Sequence, residues 1–241
     1  MRSLRSGVSC CLKVKGKRRS EMKILDLFSG LGGWSAAFAD RGHEVITIDI
    51  NYRFNPTYVR NIMELADLSQ FGKFDVILAS PPCEAFSLVA SNQHHWKKEG
   101  GKYLPADTKA SLALHLANHT FELIRAASPK FWVAENPVGF MRHAIAPPAA
   151  TIDQCAYGRR FRKPTDLWGE LPPSFKPLRC IGAECKHSKT IKKPNGFSAS
   201  GTITTEWISD KPRRASLRAE LPYGLSLAMC LAAEKDIEAE K

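Results

Sequence analysis

The sequence lacks a long hydrophobic run and the cysteine spacing of a disulfide scaffold. No stretch reaches the roughly 18 consecutive apolar residues that a membrane-spanning helix needs, and the mean hydropathy is −0.26, so we expect no membrane partner. Residues 7–12 are too short and too polar for the apolar part of a signal peptide. The seven cysteines are an odd number without paired spacing, which favours a reducing compartment over a secreted disulfide protein.

Acidic residues are few relative to basic ones. The 241 residues include 35 Lys and Arg against 24 Asp and Glu, a net charge of +11, which suggests a polyanionic partner, nucleic acid first. Seven basic side chains and no acidic one lie in residues 1–20, and 14 basic against 7 acidic side chains lie in residues 151–220. Because residues 1–21 show no helical or strand periodicity, we predict a flexible basic extension there. The second zone is therefore the more informative about a partner.

Short apolar runs alternate with helical patterns along most of the chain. Strands are predicted at 23–28, 44–50, 73–79 and 130–134, and helices at 34–41, 108–127 and 221–235. This alternation predicts an α/β fold with a doubly wound, mostly parallel sheet, whose functional residues collect at the carboxyl ends of the strands.

The pattern weakens after residue 165, where Pro, Lys and Gly become frequent. We therefore predict one main domain at 22–165 and a small, irregular basic subdomain at 166–217. Residues 218–241 are predicted to return to the main domain as a closing helix, and residues 87–106 to form a polar loop.

A glycine-rich turn follows the first predicted strand, in the sequence DLFSGLGG at 26–33. Such a turn presents backbone N–H groups and permits close approach of a ligand. Asp49 ends the next strand about 20 residues later, where a carboxylate can accept the hydroxyl groups of a ribose. The pair favours a cofactor site over the other interpretation, a tight turn with a surface Asp.

Cys83 lies at the end of a strand, in the proline-rigid sequence SPPCEAFS at 80–87. A thiolate there is a soft nucleophile, although a small buried hydrophobic residue is the commoner role of a cysteine. Glu135 ends the following strand, expected to be the neighbour of the Cys83 strand, and could donate a proton to a ring nitrogen. The two residues together favour attack on an electron-poor ring carbon.

These motifs resemble those of the DNA cytosine-5 methyltransferase family, in order and in spacing. DLFSGLGG at 26–33, PCEAFS at 82–87 and ENP at 135–137 carry the resemblance, which covers about 22–168 and returns at 218–232. It implies a Rossmann-like methyltransferase fold and S-adenosylmethionine as the cofactor. The protein is similar to short bacterial or phage members, which implies a cytoplasmic location in a bacterium or a phage-infected cell, in settings such as restriction-modification.

The resemblance also implies a set of cofactor-binding residues. They are Phe28, Ser29, Gly30, Leu31, Gly32, Asp49, Ile50, Asn61, Ile62, Pro81 and Ser226. The sequence departs from the family at three of the quoted motifs, with Glu84 in place of the common Gln, Pro137 in place of Val, and Leu225 in place of Asn. None of these changes removes the cysteine or the acid.

For catalysis, the resemblance implies that Cys83 attacks cytosine C6 and that Glu135 engages N3 of a base flipped out of the duplex. The family also has an arginine-bearing stretch after the Glu motif. Here it corresponds to QCAYGRRFRKPT at 154–165, in which we expect Arg162, and then Arg160, to contact the base or the thiolate.

The late basic segment falls where the family places its target-recognition region, reduced here to about 50 residues. It contains Cys180, Cys185 and His187, which, with Cys155 or His143 as a fourth ligand, could hold zinc; a loop with incidental cysteines is the other interpretation. The basic and aromatic residues suit contact with the phosphates and bases of double-stranded DNA. We expect a monomer, and the small size of this region predicts a short target sequence, a weak sequence preference, or a partner protein that supplies specificity.

Three alternatives remain open on the sequence. The protein could be a methyltransferase acting on tRNA, or one acting on the cytosine amino group, since SPP at 80–82 also resembles a motif of amino-methylating enzymes. It could also be a non-catalytic DNA-binding relative, although the intact Cys83 and Glu135 argue against that.

Overall fold

The computed structural model describes residues 20–88, 94–182, 185 and 220–241. Nearly all of the predicted basic extension and most of the predicted target-recognition region, including His187, lie outside the described residues. The described residues contain nine strands: β1 Lys23–Leu27, β2 Glu44–Asp49, β3 Tyr58–Val59, β4 Val76–Ala79, β5 Trp96–Glu99, β6 Lys102–Pro105, β7 Phe131–Pro137, β8 Ala150–Asp153 and β9 Pro164–Glu170.

Seven of these strands form one sheet in the order β3-β2-β1-β4-β7-β9-β8. The first five in this order run parallel, whereas β9 is antiparallel to both β7 and β8. The predicted doubly wound, mostly parallel sheet is confirmed, and the antiparallel pair at its edge was not predicted. Because β9 runs to Glu170, it crosses the boundary predicted at 165, so residues 166–170 belong to the main sheet.

The helices are α1 Ala36–Asp40, α2 Thr108–Ala127, α3 Met141–Ala144 and α4 Tyr223–Ala239. The α2 helix begins where the sequence predicts, because the Asp107 carboxylate accepts a hydrogen bond of 2.9 Å from the Ala110 N–H. Within the predicted loop 87–106, β5 and β6 instead form an antiparallel hairpin. No helix among the described residues is long and apolar enough to cross a membrane.

Two hydrophobic clusters cover the two faces of the sheet. Alternate residues of β1 take part in different clusters: Leu25 and Leu27 pack with residues of α2, and Ile24 packs with residues of α1 and α4. This alternation is the period-two pattern of a strand that is buried on both faces. The sheet order turns back between β1 and β4, so a crevice is expected at their carboxyl ends.

Candidate active site

The turn after β1 has an unusual backbone and open space beside it. Phe28, Gly30 and Gly32 all have positive φ, at 59°, 51° and 76°. For a bulky residue such as Phe28 this conformation is rare, and it is often found at functional sites. A Cβ added to Gly32 would meet no heavy atom within 4 Å, so the turn faces open space rather than packed chain.

Asp49 connects the ends of β1 and β2. Its side chain is buried, and its two carboxylate oxygens accept hydrogen bonds from the backbone N–H groups of Gly30, at 2.9 Å, and Asn51, at 2.8 Å. The carboxylate is therefore held in a fixed position at the carboxyl edge of the sheet. A carboxylate has about four lone-pair positions, so two remain for a ligand.

Apolar side chains that are exposed or half-buried occur in the turn after β1 and directly after Asp49. Ile50 is 66% exposed and Leu31 is 48% exposed, while Phe28 is half-buried against the core. Large apolar side chains exposed at the same edge of a sheet are typical of a surface that a ligand covers.

Three other predicted cofactor residues are held within the protein. The Asn61 side chain accepts a bond of 3.1 Å from the Met63 N–H at the start of a short 3-10 turn, and Ile62 is buried. The Ser226 hydroxyl donates to Trp34 O at 2.5 Å and accepts from the Ala37 N–H at 3.0 Å, so it joins α4 to the start of α1.

Cys83 and Glu135 come from neighbouring strands, as the sequence predicts. β4 pairs with β7 in a register that places Ala79 beside Ala134, so the loop after β4 and the end of β7 meet at one edge. Cys83 is partly exposed in that loop. Burial raises the pKa of its thiol, the negative charge of Glu135 raises it further, and the ammonium group of Lys163 acts in the opposite direction.

Glu135 is a buried acid. It is 5% exposed, and its Oε2 atom has no hydrogen-bond partner among the described residues. Burial raises the pKa of this carboxyl, with Lys163 and Arg159 opposing the shift. A buried carboxyl with a raised pKa holds its proton more readily and can donate it to a ligand.

The loop that carries Cys83 is fastened to the chain after Glu135. The Asn136 side chain donates to Pro81 O at 2.9 Å, and the Phe140 N–H donates to Phe86 O at 2.8 Å. A Cβ at Gly139 would lie 2.1 Å from Phe86 O, so only glycine fits at this crossing. The role of Gly139 was not predicted, because it depends on the approach of a segment about 50 residues earlier.

Aromatic rings support the same loop from the β5–β6 side. The Trp96 ring stacks between Phe86, at 5.5 Å, and Phe140, at 5.8 Å, and its indole N–H donates to Ala85 O at 2.6 Å. These contacts hold both loops in one arrangement, which fixes the relative positions of the thiol and the acid.

The basic residues next to the acid differ from the two predicted ones. Arg162 is more than half exposed, and its Nε donates to Asp153 at 2.9 Å, so its guanidinium is committed to that ion pair; Arg160 is exposed. The charges that act on Glu135 are those of Lys163 and Arg159. Contact of Arg162 or Arg160 with the base or the thiolate stays a prediction, and Lys163 and Arg159 join them as candidates.

Arg159 is held close to the acid by several contacts. Its Nη1 donates to Gln154 Oε1 at 2.7 Å and to Glu220 O at 2.5 Å, and its guanidinium lies 4.3 Å from the centre of the Phe161 ring. Burial lowers the pKa of Arg159, and the charge of Glu135 acts to raise it. No periodic pattern in the sequence distinguishes Arg159 from its neighbours.

Comparison with known proteins agrees with this arrangement. Residues 22–150 match the model of a family described as C-5 cytosine-specific DNA methylase. The chain is 34% identical over 170 residues to the protein named "Probable DNA (cytosine-5)-methyltransferase" of Frog virus 3, covering 68% of this chain and 77% of the viral protein.

Two further relatives match parts of larger proteins. The type II methyltransferase M1.HphI of Haemophilus parahaemolyticus is 28% identical, over 55% of this chain and 37% of its own. The human tRNA (cytosine(38)-C(5))-methyltransferase is 26% identical, over 77% of this chain and 47% of its own. The matches thus cover less than half the length of these two relatives. The family model spans more than half of this chain and includes both Cys83 and Glu135, so the chain belongs to the C-5 cytosine-specific DNA methylase family.

Proposed function

We propose that the protein transfers a methyl group from S-adenosylmethionine to C5 of cytosine in double-stranded DNA. The observation that carries this proposal is the meeting of Cys83 and the buried acid Glu135 on neighbouring strands, with Lys163 close to both. A thiol beside a protonated carboxyl is the pair of groups that conjugate addition to a pyrimidine ring requires.

The residues at the ends of β1 and β2 fit the cofactor. Asp49 is anchored by two backbone N–H groups and retains lone pairs that can accept the two ribose hydroxyls. The exposed side chains of Leu31 and Ile50 offer an apolar surface to the adenine, and the open turn at Gly32 leaves room for the methionine part. When bound, S-adenosylmethionine supplies an electrophilic methyl group on a sulfonium centre.

Two residues of the chain act on the base. The Cys83 thiolate forms a bond to C6 while the Glu135 carboxyl donates its proton to N3, and the electron pair of the C5–C6 bond becomes available at C5. After C5 carries the methyl group, its proton passes to water, the electron pair of the C5–H bond forms the C5–C6 double bond, and the sulfur leaves C6 as the thiolate. N3 returns its proton to Glu135, so both protein groups regain their starting states.

Charge at the site supports both steps. Lys163 lowers the pKa of the Cys83 thiol and so favours the thiolate, against the effect of burial. Burial keeps the Glu135 proton in place until a ring nitrogen accepts it. A cytosine inside a duplex cannot reach these groups, so the base must be flipped out of the stack. The basic side chains of residues 151–220 are suited to phosphate contacts beside it.

A tRNA substrate is the second candidate. It is favoured by the match to the human tRNA enzyme, which covers 77% of this chain, more than the match to M1.HphI does. The same thiol and acid would act on cytosine in either nucleic acid. The other two alternatives are weaker: methylation of the amino group needs no thiol, and a non-catalytic relative needs no buried acid.

Methylation of plasmid DNA and tRNA in cells that express the full chain tests the proposal. We expect 5-methylcytosine in plasmid DNA, read at base resolution, and none with Cys83→Ala. Methyl groups found in tRNA alone would replace the DNA proposal by the tRNA one. N4-methylcytosine that persists with Cys83→Ala would overturn the cysteine mechanism.

A further inference from the structure

Three cysteines meet at the turn that follows β8. Cys155 lies in the 3-10 turn Gln154–Tyr157 that follows β8, and Cys180 and Cys185 lie in the chain after β9. The three sulfur atoms all lie within 4.8 Å of one another, and no disulfide joins any of them. Cys155 is buried and the other two are half-buried.

We propose that Cys155, Cys180 and Cys185 bind a zinc ion that fastens the chain after β9 to the turn after β8. Tetrahedral zinc with bonds of about 2.3 Å to sulfur places the sulfur atoms roughly 3.8 Å apart, so the three atoms need contract by only about 1 Å or less. Thiolates are soft ligands, and an all-sulfur set favours zinc over Mg²⁺ or Ca²⁺.

The backbone around Cys180 has the geometry of a thiolate site. The Gly182 N–H donates to Cys180 Sγ at 3.4 Å, and the Cys185 N–H donates to Gly182 O at 3.1 Å. Gly182 has a φ of +71°, which permits the tight turn that brings Cys185 back towards Cys180.

Hydrogen bonds to Asp153 hold the two halves of the site together before any metal binds. Its Oδ2 accepts from the Cys180 N–H at 3.0 Å and from Arg179 Nε at 2.8 Å, and its Oδ1 accepts from Arg162. The Tyr157 hydroxyl accepts from the Leu178 N–H at 2.9 Å on the same segment. The ligands are thus preorganised, which lowers the cost of binding.

The charges near the cysteine cluster also suit a bound zinc ion. Three thiolates around Zn²⁺ leave a net charge of −1, and the guanidinium groups of Arg162 and Arg179 lie at the neighbouring carboxylate. This gives Arg162 a role in the scaffold of the cysteine site, distinct from the catalytic role predicted for it. His187, predicted as a ligand from the sequence, lies outside the described residues, and His143 is not part of the cluster; the proposal commits to the three sulfur atoms.

Among the described residues, two other groups of side chains bring possible metal-ligand atoms within 4.8 Å of one another, but these side chains already pair with other groups. In the first, Glu234 is engaged by Arg41, at 2.6 Å, and by His43, at 3.0 Å. In the second, Asp107 caps α2 and bonds His95. Of these three groups, the cysteine cluster alone offers only sulfur atoms, which are the soft ligands that zinc accepts.

Metal analysis of the purified full chain tests the proposal. After expression in zinc-supplemented medium, we expect about one zinc per chain, and loss of most of it in Cys180→Ser and in Cys185→Ser. Cys11→Ser, a cysteine far away in sequence, serves as the matched control and should retain the metal. Cobalt bound in place of zinc should give a sulfur-to-cobalt charge-transfer absorption that both serine variants lose.

A wild-type chain that folds, by circular dichroism, yet binds neither zinc nor cobalt would overturn the proposal. Zinc retained in full by both serine variants would overturn it equally, because the metal would then lie elsewhere. If the serine variants do not fold, the wild-type cobalt spectrum and the protection of its thiols from a thiol reagent by zinc decide the matter. None of these readouts depends on methyl transfer.

Discussion

The two halves of the carboxyl edge of the sheet are built in contrasting ways. At β1 and β2 the edge is open: glycines with positive φ face empty space, apolar side chains are exposed, and the one carboxylate is held by backbone N–H groups. At β4 and β7 the edge is closed. Glu135 is buried, and Gly139 lies so close to the segment that carries Cys83 that a Cβ on Gly139 would clash with Phe86 O.

The difference separates binding from chemistry. An open surface leaves its side chains in contact with water, so their pKa values stay close to the ordinary ones and the surface serves to bind a ligand. A closed site removes water from its ionisable side chains and thereby changes their protonation. Substitutions at β1 and β2 should therefore alter cofactor affinity, and substitutions at β4 and β7 should alter the rate of the reaction. Three predictions test this division, and a fourth tests the buried carboxyl of Asp26 in β1.

The largest effect is expected at the buried acid. Glu135→Gln should lower kcat by about a hundredfold or more, because the amide cannot donate a proton as an acid does, while the KM for S-adenosylmethionine changes little. Glu84→Gln, an exposed acid next to Cys83, is the matched control and should leave kcat near the wild-type value. Steady-state kinetics with a methylated-DNA readout measures both. Equal losses in the two variants would contradict the assigned role of Glu135.

The next effect is expected at the open edge. Asp49→Asn should raise the KM for S-adenosylmethionine by roughly tenfold and leave kcat within a few-fold, since a charged hydrogen-bond acceptor contributes about 1.5–3 kcal/mol. Asp67→Asn, which changes an exposed carboxylate in a local turn, should have no such effect. A fall in kcat at unchanged KM in Asp49→Asn would break the division between the two halves.

A smaller effect should distinguish two adjacent basic residues. Lys163→Gln should lower kcat several-fold and move the ascending limb of the pH–rate profile to higher pH, because loss of the positive charge raises the pKa of the Cys83 thiol. Arg162→Gln should leave that limb in place, since its charge is paired with Asp153. The profiles of both variants, recorded over the same pH range, make the comparison. A shift in Arg162→Gln alone would favour the role predicted from the sequence.

The smallest effect concerns stability. Burial raises the pKa of Asp26 from its ordinary value of 3.8 to about 7, although Ser35 donates a hydrogen bond of 2.6 Å to it. The folded chain therefore binds a proton that the unfolded chain releases, so stability falls as pH rises from about 4 to about 7.

In Asp26→Asn this loss is absent, so the Tm of the variant, relative to that of the wild type, should rise by a few degrees between about pH 4 and about pH 7. Thermal unfolding followed by circular dichroism at several pH values measures the difference. A difference in Tm that stays constant or shrinks as pH rises would contradict the burial of an unfavourable charge at Asp26.

The sequence was sufficient to predict those helix and strand ends that are set by neighbouring residues. The α2 helix begins at its predicted Asp107 cap, and the strand that ends at Asp49 lies within one residue of its predicted end. The order of motifs also placed Cys83 and Glu135 at neighbouring strand ends, because parallel strands bring their carboxyl ends to one edge of the sheet.

Other features depend on contacts between distant segments and could not be read locally. The β8–β9 pair lies in a polar stretch without clear alternation, and its pairing with β7 is a tertiary event. Gly139 is required only because Phe86 O approaches it, and Cys155 joins Cys180 only because β9 returns the chain beside β8. Arg162 and Lys163 are adjacent cations in the sequence, and only the folded chain shows that Arg162 pairs with Asp153.

The central claim is that Cys83 forms a covalent bond to the target base, and trapping tests it most directly. The full chain is incubated with S-adenosylmethionine and duplex DNA containing 5-fluorocytosine, whose fluorine cannot leave as a proton does. We predict a stable protein–DNA adduct whose mass spectrum maps the linkage to Cys83, and no adduct with Cys83→Ala. A wild-type chain that methylates ordinary DNA but forms no adduct, or an adduct at another residue, would contradict the account.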